Sequence, residues 1–316
     1  MPRSLTALRE QLNGLLAFVT TPFAENCEIA PTVLQAQIAR LLHTWEQIPA
    51  ALFVCCGAGE LGALDLAEYR ELVAAAVDAA AEALPVFAGV GYGTRIAEQF
   101  CRAAGAAGVD GVLVFPPYLA DGPQAGLLAH YGAVADATDG AVLVYNRQHA
   151  HFEPDTVRQL VAAHPNVIGL KDGIGDMASL AAFRAALGDE FLLVNGMPCA
   201  ELYAPVFRHA GVRAYSPSAI DFCPSLAWAY HNALLRDDQA VIHLLLNEFY
   251  MPYAEMRALV PGYGVALSKA ARALRGVPVG GVRPPLVDPS PEHRAALARL
   301  LEKLPGLLRE VGCSMC

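Results

Sequence analysis

The residue pair Lys171-Asp172 ends an apolar run that begins at Val167. Gly173 and Gly175 follow it as turn residues, so the run is typical of a buried strand with an amine at its carboxyl end. Loss of hydration lowers the pKa of a lysine, and the neutral amine is the form that attacks a carbonyl carbon. The pattern indicates a candidate nucleophile, Lys171, although a solvated lysine just after a strand has the same local pattern.

The preceding apolar run, Ala141–Tyr145, ends in a phenol, and the guanidinium of Arg147 follows two residues later. Tyr145 beside an amine can relay protons during imine formation. Arg147, two residues on, can bind a carboxylate through two parallel hydrogen bonds. The alternative is that Tyr145 packs inside the fold and Arg147 is a solvated loop charge. The lysine at the end of the next run favours the functional interpretation.

Three other apolar runs end in groups that suit a small acid. The loop Gly57-Ala58-Gly59 follows the second run, and its backbone amides can approach a ligand and cradle an anion. Asn195 and Ser216 follow the seventh and eighth runs, where they can bind hydroxyls or a carboxylate. For each, a turn residue that satisfies its own backbone is the alternative.

Eight short apolar runs alternate with longer amphipathic stretches along the chain. They are Leu15–Thr20, Ala51–Cys56, Pro85–Gly89, Gly111–Phe115, Ala141–Tyr145, Val167–Lys171, Phe191–Asn195 and Val212–Ser216. Near-continuous apolar strands separated by helices are parallel strands covered by helices. Eight such units predict an α/β fold, the (β/α)8 TIM barrel, in which the carboxyl ends of all strands meet on one catalytic face.

After the eighth run, residues 225 to 310 keep a helical pattern that is interrupted by the Gly- and Pro-rich stretch Gly276–Pro291. No second set of strands follows, so we predict a barrel over residues 1–224 and a C-terminal helical appendage packed on it over residues 225–316.

Two helix starts carry recognisable caps. Asp65 has Glu68 three residues later, which predicts a capping box. Thr94 precedes an amphipathic run and is the expected cap of the next helix.

Composition excludes several classes of partner. The 316 residues are 55% hydrophobic and carry a net charge of −9 without a basic run, so neither nucleic acid nor an anionic membrane is an expected partner. The segment Met1–Gln11 lacks a secretory pattern, and no uncharged apolar stretch is long enough to span a membrane. We therefore expect a cytoplasmic protein.

The cysteines and histidines predict no metal site. Eight scattered cysteines in a chain without a secretory pattern favour reduced thiols. Cys313 and Cys316 have C-x-x-C spacing without a second pair, so a frayed tail is favoured over a metal or redox site. His149 and His151 have no third histidine nearby, which favours a surface loop over a metal pair.

Four stretches, in their joint order and spacing, resemble the Schiff-base aldolase and dehydratase superfamily of dihydrodipicolinate synthase and N-acetylneuraminate lyase. They are Val19–Phe23, Gly57–Glu60, Tyr145-Asn146 and Gly169–Asp172. Within that superfamily, four further stretches look like those of the 5-dehydro-4-deoxyglucarate dehydratases. These are Pro116–Leu119, Tyr145–Arg147, Lys171–Asp176 and Asn195–Pro198.

The resemblance implies that Lys171 forms a Schiff base with a keto sugar diacid and that Tyr145 transfers protons. The substrate would lose water and then CO2 to give 2,5-dioxopentanoate, with no metal or organic cofactor, in a dimer or tetramer. For two carboxylates, the Gly57–Gly59 amides are expected at one end, with Arg147, Asn195 and Ser216 as candidates for the other.

Two positions depart from the superfamily pattern. Ala58 stands where a threonine hydroxyl is usual, and Leu119 stands where the synthase branch has a second tyrosine. Two alternatives stay open: another 2-keto acid aldolase or synthase of the same superfamily, and a catalytically silent barrel that binds small acids. The silent barrel remains an alternative because Ala58 provides no hydroxyl.

Overall fold

The computed structural model describes residues 3–44, 50–117, 121–147 and 149–313. Eight parallel strands form a closed barrel in which each strand pairs with the next and β8 pairs with β1. The strands are β1 Leu15–Phe18, β2 Ala50–Val54, β3 Val86–Val90, β4 Gly111–Val114, β5 Ala141–Asn146, β6 Val167–Asp172, β7 Leu192–Asn195 and β8 Ala214–Tyr215. All eight predicted strands are present, and the predicted (β/α)8 fold is confirmed.

The helices follow the strands in the order that this fold requires. They are α1 Leu5–Gln11, α2 Pro31–Thr44, α3 Leu66–Ala80, α4 Thr94–Ala106, α5 Gln124–Ala135, α6 Pro154–Ala163, α7 Met177–Leu187, α8 Ala204–His209, α9 Pro224–Arg236, α10 Gln239–Leu245, α11 Met251–Ala258, α12 Tyr263–Leu274, α13 Pro291–Glu302 and α14 Leu304–Glu310. A π-helical turn joins α10 to α11. None of the described helices is both long and apolar enough to cross a membrane.

Helix α1, which the sequence analysis did not predict, covers the end of the barrel opposite the strand carboxyl ends. It leads directly into β1, and its Leu8 and Leu12 are buried in one cluster with the inward-facing Leu16, Phe53 and Leu143. At seven residues it is too short to show a clear helical period. It leaves the opposite face of the barrel as the open one.

The two predicted caps had different outcomes. Asp65 and Glu68 form the predicted capping box, since the Asp65 carboxylate accepts from the Glu68 amide and Glu68 accepts from the Asp65 amide. The prediction for Thr94 was wrong, because Gly93 is the N-cap and Thr94 is the first helical residue. The Thr94 hydroxyl instead lies 2.8 Å from Nδ1 of His130, a tertiary contact that the local sequence does not reveal.

Buried polar bonds join the C-terminal helices to the barrel. The Asp221 carboxylate accepts hydrogen bonds from Thr20, which follows β1, and from Ser268 on α12. It also pairs with Arg272 of α12 at 3.1 Å. Removing one partner of such a buried network leaves an uncompensated charge, so α12 is held firmly over the catalytic face. The division of the chain at residue 224 stays a prediction.

A second buried pair braces the loop after β2. Nζ of Lys269, on α12, lies 2.5 Å from a carboxylate oxygen of Glu60, and both side chains are buried. Lys269 also donates to the Gly281 carbonyl, and the Arg283 amide donates to Glu60. The segment between α12 and α13 therefore packs directly behind the Gly57–Glu60 loop.

Candidate active site

The ends of β5 and β6 bring the two principal candidates together. Tyr145 lies opposite Lys171 in the parallel register, and Asn146 lies opposite Asp172. The Asp172 carboxylate accepts from the Asn146 amide and from the Gly175 backbone, both at 2.8 Å. These bonds hold the chain where it leaves β6, which fixes the direction of the neighbouring lysine.

Lys171 has the environment of a reactive amine. Its side chain is 6% exposed, and Nζ lies 3.6 Å from the ring centre of Phe18 and 5.0 Å from that of Tyr145. Burial, assisted by the positive charge of Arg147 and partly opposed by Cys56, lowers the pKa of Lys171 to about 7. Nζ donates no hydrogen bond to any described residue, so the amine is available to a substrate.

Gly196 gives the lysine room to lie across the barrel mouth. A Cβ atom on Gly196 would stand 2.7 Å from Cγ of Lys171 and 2.9 Å from its Cε. The Gly196 carbonyl also accepts a hydrogen bond from the Tyr145 hydroxyl at 3.0 Å. Sequence analysis proposed Asn195 as a binding residue, with a turn as the alternative, and gave Gly196 no role of its own. The structure shows that a glycine is required at position 196 by its contact with Lys171 of β6.

The Tyr145 hydroxyl is held between a donor and an acceptor. It donates to Gly196 and accepts from Nη1 of Arg147 at 3.0 Å. Burial raises the pKa of Tyr145, and the charge and hydrogen bond of Arg147 partly oppose that rise. The phenol is therefore protonated at neutral pH and can act as an acid, while Arg147 can stabilise a transient phenolate.

A cavity of about 580 Å³ opens over this pair. Of the predicted site residues it is lined by Gly57, Ala58, Tyr145, Arg147, Lys171 and Ser216. Further lining comes from the C-terminal helices, chiefly through Arg257, Gly264 and Ser268. The cavity therefore extends from the barrel mouth to α11 and α12.

The loop after β2 keeps the features of an anion cradle. The amides of Gly57, Ala58 and Gly59 donate no hydrogen bond to residues that the structure describes. Gly59 does not line the cavity, and a Cβ there would stand 2.8 Å from the Cys55 amide nitrogen, so glycine is required for packing. Its carbonyl accepts from Thr21 at 2.7 Å. Gly57 and Ala58 thus remain the members of the predicted cradle that face the cavity.

Asn195 does not reach the cavity. Its side chain is almost fully buried, its Nδ2 donates to the Ala200 carbonyl, and its Oδ1 accepts from the Met197 amide. Both polar atoms of the Asn195 side chain therefore form hydrogen bonds within its own loop, as in the turn-residue alternative that the sequence analysis gave for this position. Ser216 is half-buried on the cavity wall, so its hydroxyl remains available to a ligand.

Arg257 is the charged lining residue that sequence analysis missed. It lies on α11 in the helical appendage, where no strand end marks it as functional. Only the tertiary packing of that helix over the barrel mouth brings its guanidinium to the cavity.

The described residues contain no group of three His, Cys, Asp or Glu side chains that could hold a metal ion. Nδ1 of His149 lies 2.7 Å from Asp121 in an exposed pair, which agrees with the surface-loop interpretation. Among the described cysteines, Cys27, Cys55, Cys56, Cys101 and Cys199 are free thiols. Leu119 and Cys316 lie outside the described residues.

The fold and the amine–phenol pair together define a class, a (β/α)8 barrel equipped for imine chemistry on a carbonyl substrate. The chain belongs to the dihydrodipicolinate synthetase family, whose family model matches residues 11–304. The family resemblance drawn from its motifs is confirmed.

Curated relatives share the whole length of the chain. A protein of Streptomyces griseus subsp. griseus named probable 5-dehydro-4-deoxyglucarate dehydratase is 42% identical, covering 97% of this chain and 96% of the relative. A protein of Pseudomonas putida with the same name is 36% identical, covering 92% of this chain and 95% of the relative.

Solved structures match the fold. Dihydrodipicolinate synthase from Oceanobacillus iheyensis superposes with a TM-score of 0.87, covering 96% of this chain and all of that one, at 23% identity. At this level of identity the match supports the architecture alone.

Proposed function

We propose that this chain is a lyase that dehydrates and decarboxylates 5-dehydro-4-deoxyglucarate to 2,5-dioxopentanoate, CO2 and water. The observation that carries the proposal is the buried, unbonded amine of Lys171 beside the hydrogen-bonded hydroxyl of Tyr145. The names of the relatives supply the substrate, since all of the curated relatives reported above are called dehydratases of this keto diacid.

The reaction begins with imine formation. The neutral Lys171 amine adds to the keto carbon, and loss of one water gives a protonated imine. The imine withdraws electrons from the adjacent methylene, which loses a proton and becomes an enamine. The enamine then expels the hydroxyl on the next carbon, and that hydroxyl leaves as water after it receives a proton.

Decarboxylation uses the same imine as an electron sink. The carbon–carbon bond to the distal carboxylate breaks, CO2 leaves, and the electron pair moves into the conjugated system. Protonation and hydrolysis of the imine then return the amine and consume one water. The balance for the dianionic substrate is one proton taken up and one CO2 and one water released, with no oxidant or reductant required.

Tyr145 is the proposed proton donor to the departing hydroxyl. Among the described residues, the only side-chain hydrogen bond to its hydroxyl comes from Arg147, and Ala58 has no hydroxyl to offer. Arginine does not release a proton at these pH values, so Arg147 is proposed to stabilise the phenolate rather than to relay protons. The Gly57 and Ala58 amides are proposed to bind the carboxylate next to the keto carbon, with Ser216 on a substrate hydroxyl.

Reductive trapping tests the central step. Borohydride added with the keto diacid should attach substrate mass to Lys171 and inactivate the enzyme, while the same substrate should release CO2 without borohydride. The other lysines are distinct by peptide mapping: Lys269 is buried against Glu60, and Lys303 is exposed.

Two variants complete the design. Lys171→Met should abolish trapping, whereas Lys303→Met, a matched control on the surface, should leave it unchanged. Label on Lys269 or Lys303, or turnover without any trapping at Lys171, would remove the proposal. Trapping with 2-keto acids but no CO2 from the diacid would favour a different aldolase or synthase. The absence of both trapping and CO2 release would favour a catalytically silent binding barrel.

We also propose that the protein is a cytoplasmic homo-oligomer. Exposed apolar side chains such as Val206, Leu235 and Leu259 support an association surface, and free cysteines suit a reducing compartment. Analytical ultracentrifugation should give a dimer or tetramer, and a monomer at micromolar concentration would contradict it. Cell fractionation should find the protein in the cytoplasmic fraction, and recovery outside it would contradict the location.

A further inference from the structure

Two arginines line the cavity, and different parts of the fold supply them: Arg147 follows β5 and Arg257 lies on α11. Arg147 acts on Tyr145 and Lys171, with a hydrogen bond to the first and an electrostatic effect on the second. Arg257 instead interacts electrostatically with Cys199, Glu201 and Tyr253, and it has no resolved influence on Lys171 or Tyr145. The cavity therefore has one positive charge that acts on the reacting amine and a second, called the far charge below, that is supplied by α11 and does not.

The far charge has no strong counterion. No carboxylate of the described chain lies within 4.0 Å of the Arg257 guanidinium, although the side chain is largely buried. Glu201, the carboxyl group that influences it, is instead occupied by Ser218, which donates from its amide at 2.8 Å and from its hydroxyl at 3.0 Å. The Arg257 side chain also makes a hydrogen bond to the Cys199 thiol. A largely buried guanidinium whose side-chain hydrogen bond is to a thiol, and which has no paired carboxylate, can still receive an anionic ligand.

The guanidinium lies on the first turn of α12. A Cβ atom on Gly264 would stand 2.6 Å from Nη2 of Arg257 and 3.0 Å from its Cζ, so only glycine permits this contact. The helix is twelve residues long, and Gly262 and Gly264 from its start line the cavity. The Gly264 amide has no acceptor within the described parts of the chain. A free amide at a positive helix end next to a guanidinium is a suitable site for a carboxylate.

We propose that Arg257 and the first turn of α12 bind the distal carboxylate of the substrate, so that the enzyme selects 2-keto acids with a second, remote carboxylate. This inference rests on the proposed function, because it assumes that the keto carbon reacts at Lys171. It moves the distal site from Arg147, which the Tyr145 hydrogen bond keeps at the amine end, to the appendage. Arg257 is thus a specificity-determining residue supplied by the C-terminal helices.

The contact should act on binding more than on the rate of decarboxylation. A carboxylate that leaves as neutral CO2 loses its charge in the transition state, so its bond to Arg257 does not strengthen there. Losing a charged hydrogen bond of this kind should raise KM for the diacid by about 10- to 100-fold while kcat changes much less.

The test compares two six-carbon 2-keto acids that differ only at the far end, 2-oxoadipate with a carboxylate and 2-oxohexanoate with a methyl group. Borohydride trapping at Lys171 gives a half-saturating concentration for each without requiring turnover. Arg257→Gln should raise this concentration by about 10- to 100-fold for 2-oxoadipate and leave it unchanged for 2-oxohexanoate.

Three further variants sharpen the result. Arg257→Lys should recover part of the lost affinity, and Gly264→Ala should reproduce part of the loss by displacing a guanidinium that is still present. Arg299→Gln, an exposed charge removal on α13, should change neither acid. Equal losses on both acids, or none, would overturn the inference. Because trapping needs only imine formation, wild-type enzyme that traps 2-oxoadipate yet releases no CO2 from the diacid would refute the proposed function alone.

Discussion

A methyl group added at Gly196 should disable the enzyme without unfolding it. In Gly196→Ala the new Cβ would stand 2.7 Å from Cγ and 2.9 Å from Cε of Lys171, and 2.9 Å from the Asp172 carbonyl oxygen. The carbonyl belongs to a paired strand and cannot move, so the lysine side chain has to give way. Overpacking of this kind costs about 1–3 kcal/mol of folding stability.

The loss of activity should be larger than the loss of stability suggests. A displacement of about 1 Å at a reacting group can cost about 10²-fold in rate, so kcat for CO2 release and the rate of borohydride trapping should fall together by roughly that factor. The variant is still expected to unfold cooperatively, with Tm lowered by several degrees.

Gly306→Ala is the matched control, because a Cβ there meets nothing within 4 Å. It lies in a helix, so it should keep full activity and gain slightly in stability. If Gly196→Ala traps substrate at the wild-type rate, Lys171 does not depend on the space at Gly196 and the geometric argument fails.

Four other predictions follow from the same contacts. Tyr145→Phe should lower kcat by about 10²- to 10⁴-fold with the fold intact, as circular dichroism and kinetics would show, and near-normal turnover would make Tyr145 a packing residue. Arg147→Ala should cost roughly 1.5–3 kcal/mol of transition-state stabilisation, seen as slower borohydride trapping of mono- and dicarboxylate keto acids alike, with Arg147→Lys less severe, because its guanidinium hydrogen-bonds to the Tyr145 hydroxyl; a loss confined to diacids would return it to the distal end. The rate of imine formation should rise with pH through about 7 as Lys171 loses its proton, and a profile with its midpoint near 10 would show a solvated lysine. Burial raises the pKa of Glu201 to about 7 from an ordinary value of 4.5, so the folded state binds more protons than the unfolded state in between. The free energy of unfolding should therefore fall by up to about 3 kcal/mol between pH 4.5 and 7, and urea titrations of Glu201→Gln should lack that decline; an identical decline in the variant would exclude Glu201 as its source.

The C-terminal helices contact the loop after β2 and line the cavity. Lys269 and Arg283 brace the loop after β2 from behind through Glu60, while Arg257 faces the cavity. A barrel without the appendage would lose both the support of the Gly57–Ala58 amides and the far charge. In the proposed function, the appendage therefore both supports the loop that is to bind one carboxylate and supplies Arg257 for the other.

The amino-acid sequence by itself determined the barrel and its reactive pair. Alternating apolar and amphipathic segments predict eight βα units, because strands buried on both faces are mostly apolar, with polar residues only at their ends, and the covering helices are amphipathic. Parallel strands bring their carboxyl ends to one face, so the residues Lys171 and Tyr145 could be placed side by side from their positions alone. Local periodicity is sufficient to predict the strands and their order, without knowledge of any long-range contact.

Tertiary structure decided which polar groups face the cavity. Asn195 ends β7 and Gly59 lies in the loop after β2, yet the first turns its amide into its own loop and the second packs against Cys55. Arg257 has no signal in the sequence, because its role depends on how α11 crosses the barrel mouth. Side-chain direction in loops and the placement of appended helices follow from packing between residues far apart in the chain. The local sequence pattern therefore predicts the barrel and the strand ends where the site lies, and only the tertiary structure determines which side chains line the cavity.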